Sequence, residues 1–172
     1  MAKERGQADE EAGISMRAWN WDARKKRDAL RCPHCGQVVL PGGVPGTFDF
    51  PKVRVPVWRE HRLAEIDVEV KAGTTSLPFA AVSEEQRTWA TENTDCPKWL
   101  WLNLGTRIKG KRYPRYTILF PFELFLEIEK NSEAKSIPYG LATLEPYRLT
   151  WEGNRTWSVP ESHPIRTVYH YL

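Results

Sequence analysis

The sequence has few cysteines, no long apolar run and no repeated or low-complexity segment, and these absences exclude several classes of protein. Its three cysteines are an odd number, which argues against the disulfide scaffold of a small secreted domain. No stretch approaches the roughly 18 consecutive apolar residues of a membrane-spanning helix. Residues 1–7 lack the apolar run of a signal peptide. We therefore expect a cytoplasmic protein with no membrane partner.

Length and composition are those of an ordinary globular protein. The chain has 172 residues, of which 41% are hydrophobic and 27% are charged. We expect residues 1–172 to form a single domain, with residues 1–9 frayed. The net charge is only +3, but basic residues cluster at 24–27 and at 107–115. Each cluster on its own is equally consistent with a solvated surface.

The pattern of apolar residues predicts an α/β fold in the order α-β-β-β-α-β-β-α-β-β. The predicted helices cover residues 10–31, 83–94 and 121–130. The predicted strands cover residues 37–40, 47–50, 65–71, 98–104, 115–120, 147–151 and 155–159, of which the last two form a hairpin. The strand–helix–strand unit over 65–104 predicts parallel strands with a right-handed crossover. Residues 52–63 are basic and irregular, and we expect a hairpin extension that protrudes as an insertion.

The strand predicted at 65–71 alternates strictly between charged and aliphatic residues. One face carries Glu65, Asp67, Glu69 and Lys71, and the other carries Ile66, Val68 and Val70. Carboxylates about 6.5–7 Å apart along a strand repel one another, and a divalent cation is one way to neutralise them. An ordinary half-exposed strand, with partners for its charges on the neighbouring strand, is the alternative.

A further acidic residue, Asp49, lies on the strand predicted before this one. Asp49 followed by Glu69-Val70-Lys71 resembles the motif of the PD-(D/E)xK nuclease superfamily, although Phe48 stands where that motif has proline. The resemblance implies a restriction-endonuclease-like core, with a mixed central sheet flanked by helices in the order α-β-β-β-α-β. The predicted C-terminal hairpin is an addition to that core.

Within this superfamily the chain most resembles Holliday junction resolvases of bacteria and phages. The likeness covers about residues 5–125 and is carried by segments at 5–14, 47–50, 66–72 and 76–86. It implies a Mg²⁺-dependent endonuclease, with Mn²⁺ as a substitute, that cuts four-way DNA junctions as a homodimer in a bacterial or phage-infected cell. The alternatives are a repair or restriction-like nuclease on linear or flapped DNA, and a non-catalytic nucleic-acid-binding zinc module.

The resemblance also assigns roles to individual residues. Asp49 and Glu69 correspond to metal ligands and Lys71 to the catalytic lysine. A further acidic ligand is expected from the first helix, where Glu10 is preferred over Glu11.

Gln86 corresponds to a glutamine that faces the site in these enzymes. Ser83-x-x-Gln86 is also a capping box, in which Gln86 would bond the backbone of Ser83, and both interpretations remain open. Asp67 shares the face of Glu69 and is interpreted as a neighbouring charge that does not bind the metal.

Four basic residues of the second cluster are predicted to contact DNA. We expect them to bind backbone phosphates without reading sequence, and we expect the 52–63 insertion to enter the junction. The four residues are Arg107, Lys109, Lys111 and Arg112.

The segment from Cys32 to Gly36 reads Cys-Pro-His-Cys-Gly and resembles a zinc knuckle. Two thiolates on a tight turn suit tetrahedral zinc, but a complete site needs two more ligands. Cys96 is the expected third ligand, and the fourth would be His61, His163 or His170. Such a zinc would be structural, on the rim opposite the active site. A reduced turn without metal, or an occasional disulfide, is the alternative.

Overall fold

The computed structural model describes residues 2–26, 30–40, 42, 44–105, 107–108, 111–112 and 115–169. Its helices are α1 (Ala2–Ala18), α2 (Glu84–Glu92), α3 (Phe122–Asn131) and α4 (Ile165–Val168). Its strands are β1 (Leu30–Arg31), β2 (Val38–Leu40), β3 (Phe50–Val57), β4 (Arg62–Ala72), β5 (Ser76–Pro78), β6 (Lys98–Leu104), β7 (Arg107–Ile108), β8 (Lys111–Arg112), β9 (Tyr116–Pro121), β10 (Ser136–Pro138), β11 (Thr150–Gly153) and β12 (Thr156–Ser158).

A mixed four-stranded sheet in the order β3-β4-β6-β9 lies at the centre of the fold. The pairs β3–β4 and β6–β9 are antiparallel, whereas β4 and β6 are parallel. Helix α2 lies between β4 and β6 in the chain, so the predicted strand–helix–strand unit is confirmed. The predicted C-terminal hairpin is confirmed as β11–β12.

Both faces of the central sheet are covered. Val68 and Val70 belong to a core that includes Trp101 and the apolar face of α1. On the other face, Leu100 and Leu102 belong to a second core that includes residues of α3. The alternation along β4 is therefore confirmed, but its charged face is buried and not half-exposed from Asp67 to Lys71.

Residues 52–63 are not irregular as predicted. They form the expected hairpin, in which β3 turns into β4 and Val57 pairs with Arg62. Val53, Val55 and Val57 alternate inward and are buried. The strand was not recognised in the sequence because it contains two prolines, Pro51 and Pro56. Proline is tolerated here because β3 is the edge strand of this sheet. The tip of the hairpin lies at the opposite end of the sheet from Lys71.

Two of the predicted strands differ from the structure. The strand predicted at 47–50 is absent, since β3 begins only at Phe50. The strand predicted at 37–40 is β2, but it pairs with β1 in a separate hairpin. The central sheet therefore has two strands before α2, and not the three that the order α-β-β-β-α-β requires.

Helix α1 begins and ends earlier than the predicted helix at 10–31. It starts at Ala2, within the segment expected to be frayed, and ends at Ala18. Asn20 follows in a left-handed conformation with φ 62°, which stops the helix. Asp22 then pairs with Arg54 of β3, so the chain continues as an extended segment beside the sheet edge.

His163, one of the histidines considered for zinc, is buried in a purely structural role. Its Nε2 lies 3.0 Å from the carbonyl oxygen of Tyr147, and its Nδ1 accepts the backbone N–H of Ile165 at 3.1 Å. Burial lowers the pKa of His163 from 6.5 to about 4. The folded protein therefore holds this imidazole neutral under conditions in which the unfolded chain would protonate it.

We expect the free energy of unfolding to fall as the pH decreases from 6.5 towards 4. In that interval the unfolded state binds a proton at His163 that the folded state does not. A shift of this size corresponds to about 2 kcal/mol between pH 7 and pH 5. Urea unfolding of the native chain and of His163→Gln at both pH values measures this contribution. An equal loss of stability in the two proteins would contradict it.

Candidate active site

Asp49 and Glu69 come together where β3 begins beside β4. The backbone N–H of Asp49 donates to Glu69 Oε2 at 3.0 Å, and the N–H of Val70 donates to Asp49 Oδ2 at 3.1 Å. The two side chains are buried, with Glu69 wholly removed from solvent. The two acidic residues predicted as a pair therefore hold each other where the chain enters β3 beside β4.

Lys71 and Gln86 complete a compact polar cluster on the same face. Lys71 Nζ lies 2.7 Å from Glu69 Oε1 and donates to Gln86 Oε1 at 3.0 Å. Gln86 Nε2 in turn donates to Glu69 Oε1 at 2.5 Å. Each of the three side chains contacts the other two, so the lysine is held beside the carboxylate and cannot swing freely.

Gln86 fulfils both interpretations left open by the sequence. Its backbone N–H donates to Ser83 Oγ at 3.2 Å, and its Oε1 accepts the N–H of Ser83 at 3.1 Å, which is a complete capping box. The cap fixes the glutamine at the start of α2, with its side chain directed at Glu69 and Lys71. Gln86 thus both caps the N-terminus of α2 and positions the site.

The loop before Asp49 is held tightly against α2. Gly46 has φ +81°, and a Cβ built on it would lie 2.3 Å from the carbonyl oxygen of Glu85. Only glycine permits both the conformation and this approach. The contact sets the distance between the segment that carries Asp49 and the helix that carries Gln86.

The electrostatics of the cluster favour an additional positive charge. Burial, and after it the charge of Asp49, raise the pKa of Glu69, while Lys71 opposes this effect. Two buried carboxylates beside one ammonium fit a hard divalent cation such as Mg²⁺, which binds through one or two carboxylates and retains several waters. Within the described part of the chain, no group of three His, Cys, Asp or Glu residues is arranged to hold a metal.

The first helix does not bring Glu10 to this pair. The side chain of Glu10 is half exposed and lies 2.5 Å from Arg155. Glu11, one residue later, is fully buried and forms an ion pair with Arg115. Successive residues on a helix point about 100° apart, and it is Glu11 that shares the buried face with Ala8 and Ser15.

Asp67, two residues before Glu69 in the charged row on β4, is a structural anchor. It accepts hydrogen bonds from the backbone N–H of Lys52 at 2.8 Å and from Cys96 Sγ at 2.9 Å. Lys98 Nζ lies 2.8 Å from the same carboxylate. Lys98 was not predicted, because its place opposite Asp67 depends on the parallel register of β4 and β6.

The three cysteines are not assembled into one site. Cys32 and Cys35 share the turn between β1 and β2, where hydrogen bonds from Cys35 and His34 lower the pKa of the Cys32 thiol. Cys96 Sγ donates a hydrogen bond to Asp67, and burial raises the pKa of the Cys96 thiol to about 12. His170 lies outside the described residues. Zinc at the knuckle stays a prediction, but the expected contribution of Cys96 is not supported.

The basic residues predicted to contact DNA lie on a short hairpin. Arg107 pairs with Arg112, and Ile108 pairs with Lys111, between β7 and β8; Lys109 lies outside the described residues. The hairpin follows the carboxyl end of β6. Because β4 and β6 are parallel, with Lys71 beside Leu102, the hairpin emerges from the end of the sheet where Lys71 lies.

Comparisons with known proteins assign no family. No protein-family model matches the chain, and a search of curated proteins finds no significant match. Among the described residues, no helix is long and apolar enough to cross a bilayer.

Proposed function

We propose that this chain is a metal-dependent endonuclease of the PD-(D/E)xK type that hydrolyses phosphodiester bonds in DNA, with the four-way junction as its substrate and a homodimer as its working form. The observation that carries the proposal is the convergence of Asp49, Glu69 and Lys71 within one buried cluster. A pair of acidic side chains with an adjacent lysine is the arrangement that the motif of this superfamily describes.

The proposed roles follow from the contacts within the cluster. Asp49 and Glu69 would hold Mg²⁺, which when bound polarises the scissile phosphate and lowers the pKa of water. Lys71 carries a fixed positive charge beside Glu69, where it would orient the attacking water and stabilise the negative charge that develops on the phosphate. Gln86 keeps the ammonium and the carboxylate in place through its two hydrogen bonds.

The proposal includes the restriction-endonuclease-like core. The mixed sheet and the flanking helices are compatible with it, and the acidic pair lies where β3 begins beside β4. The described part of the central sheet has two strands before α2, where the full core has three. A nuclease acting on linear or flapped DNA would use the same cluster, so the junction preference depends on the resemblance of the sequence to resolvases and is tested separately.

A cleavage panel tests this function directly. The purified chain is incubated with a four-way junction, a flapped duplex and a linear duplex of the same sequence, each with Mg²⁺, Ca²⁺ or EDTA. We expect cleavage with Mg²⁺ and none with EDTA, at the highest rate on the junction. Cleavage of all three DNAs at equal rates would favour the general nuclease. Absence of cleavage with both Mg²⁺ and Mn²⁺ would contradict the enzyme.

The β7–β8 hairpin is expected to supply phosphate contacts. Replacing Arg107 and Arg112 by alanine should weaken the binding of all DNA shapes alike. It should also reduce the magnitude of the slope of log K against log salt by about 0.9 for each lost phosphate contact. The matched control is Arg59→Ala with Arg62→Ala, which removes the same charge at the opposite end of the sheet. Equal slopes in the native chain and the hairpin variant would exclude the hairpin from the interface.

A further inference from the structure

A groove on the α1 side of the sheet has an unusual lining of aromatic and arginine side chains. It has a volume of about 460 Å³ and lies between the start of β9 and the β11–β12 hairpin. Its lining includes Arg115, Arg148, Trp151 and Trp157, together with Glu145. None of these residues belongs to the Asp49–Glu69 cluster.

Trp151 forms an exposed aromatic platform at this groove. It pairs across the hairpin with Trp157, and the two ring centroids are 4.9 Å apart at an interplanar angle of 61°. Trp157 is buried, whereas Trp151 is 43% exposed. The inner tryptophan packs against the outer one and holds it in place, and the exposed part of Trp151 lines the groove.

One guanidinium group contacts this platform, and a second lines the same groove. The Arg115 guanidinium carbon lies 5.2 Å from the centroid of the Trp151 ring, and Arg148 lies over Tyr116 at 4.9 Å. Arg115 is paired with Glu11 and Arg148 with Glu145. Each guanidinium has five N–H donors, so these ion pairs leave donors for a further anionic group.

The groove and the proposed active site lie at the same end of the sheet, on opposite faces. Arg115 directly precedes β9, whose first residue, Tyr116, pairs with Leu104 at the carboxyl end of β6. Lys71 pairs with Leu102 of the same strand. A DNA strand that passes around this end of the sheet would reach both.

We propose that this groove binds an unpaired DNA nucleotide, whose base stacks on Trp151 and whose phosphate contacts Arg115 and Arg148. This inference rests on the proposed function, and it adds that the substrate exposes at least one unpaired base near the point of cleavage. Stacking on an aromatic platform is tolerant of base identity because every base presents a π face. The groove therefore recognises strand opening and not sequence.

Binding measured in EDTA tests the groove independently of cleavage. The probes are single-stranded oligothymidylate, an oligonucleotide of the same length with abasic sites, and a fully paired duplex. Trp151→Leu should weaken binding of oligothymidylate by about tenfold or more, as expected for the loss of one stacked base. Binding of the abasic strand and of the duplex should be unchanged. Trp151→Phe, which keeps an aromatic plane, should restore most of the affinity.

The melting temperatures of both variants separate binding from hairpin stability. If Trp151 only stabilises the hairpin, Trp151→Leu will melt earlier and will bind all three probes with unchanged or equally reduced affinity, and the inference is overturned. If oligothymidylate binding depends on Trp151 but no DNA is cleaved with Mg²⁺ or Mn²⁺, the groove stands and the nuclease proposal fails. If DNA is cleaved but its binding does not depend on Trp151, the nuclease proposal stands and the inference about the groove is overturned.

Discussion

Glu69→Gln is expected to reduce DNA cleavage by about 1,000-fold or more without unfolding the protein. The substitution keeps the shape of the side chain and one accepting oxygen, so it retains either the hydrogen bond from Gln86 to Oε1 or the one from the Asp49 backbone to Oε2. It removes the negative charge that would hold the cation. Burial and Asp49 raise the pKa of Glu69, so removal of its charge offsets part of the cost of the lost hydrogen bond and ion pair, and the protein should remain folded.

Lys71→Ala tests the other half of the cluster. It leaves both carboxylates in place but removes the ammonium 2.7 Å from Glu69, and we expect cleavage to fall by about 100-fold or more. Binding of DNA in EDTA should change little in either variant, because the basic hairpin is untouched. Single-turnover cleavage and equilibrium binding, measured on the same protein preparations, separate the two effects.

Glu65→Gln is the matched control on the same strand. Glu65 belongs to the same alternating row as Glu69, but its side chain is 41% exposed and lies 3.7 Å from Arg54. Its replacement should leave cleavage unchanged. Native rates in all three variants would contradict an active site at Asp49 and Glu69, whereas equal losses in all three would indicate a general effect of charge on β4.

The site residues that the sequence identified are those fixed by short-range patterns. Period-two alternation put Glu69 and Lys71 on one face of β4, and the Ser83-x-x-Gln86 spacing fixed the start of α2. Asp49 required the resemblance, because it lies just before β3 and not inside the strand that was predicted there. These four residues form the cluster because their separations are set by one hairpin and one helix cap.

Features that depend on packing between distant segments were not predicted. The burial of the charged face of β4 comes from cores built by other elements, and the Lys98–Asp67 pair depends on a parallel register. The choice between Glu10 and Glu11 required knowledge of which face of α1 is buried. The sequence did contain an indication that Glu11 is buried, because it lies at helical spacing from Ala8 and Ser15. A buried position was not expected for it, since a glutamate is rarely fully buried unless it is paired.

Arg115→Leu is expected to destabilise the protein by about 3 kcal/mol. Glu11 is fully buried, and Arg115 is its only ion-pair partner among the described residues. Three neutral donors also converge on this carboxylate: Gln7 Nε2 at 3.0 Å, Trp157 Nε1 at 3.1 Å and Asn103 Nδ2 at 3.3 Å. Removal of the arginine leaves a buried negative charge that these donors cannot neutralise. Urea unfolding at neutral pH measures the loss.

The exposed ion pair of the neighbouring residue on α1, Glu10, is the control for this prediction. Glu10 and Arg155 are 2.5 Å apart, but more than half of each side chain is exposed, so Arg155→Leu should cost no more than about 1 kcal/mol. Adding Glu11→Gln to Arg115→Leu should recover part of the stability, because the neutral amide keeps an acceptor for Trp157 and Asn103 while it removes the unpaired charge. If Arg115→Leu costs no more than Arg155→Leu, or if Glu11→Gln recovers nothing, then the Glu11–Arg115 pair does not hold α1, β6 and the C-terminal hairpin together.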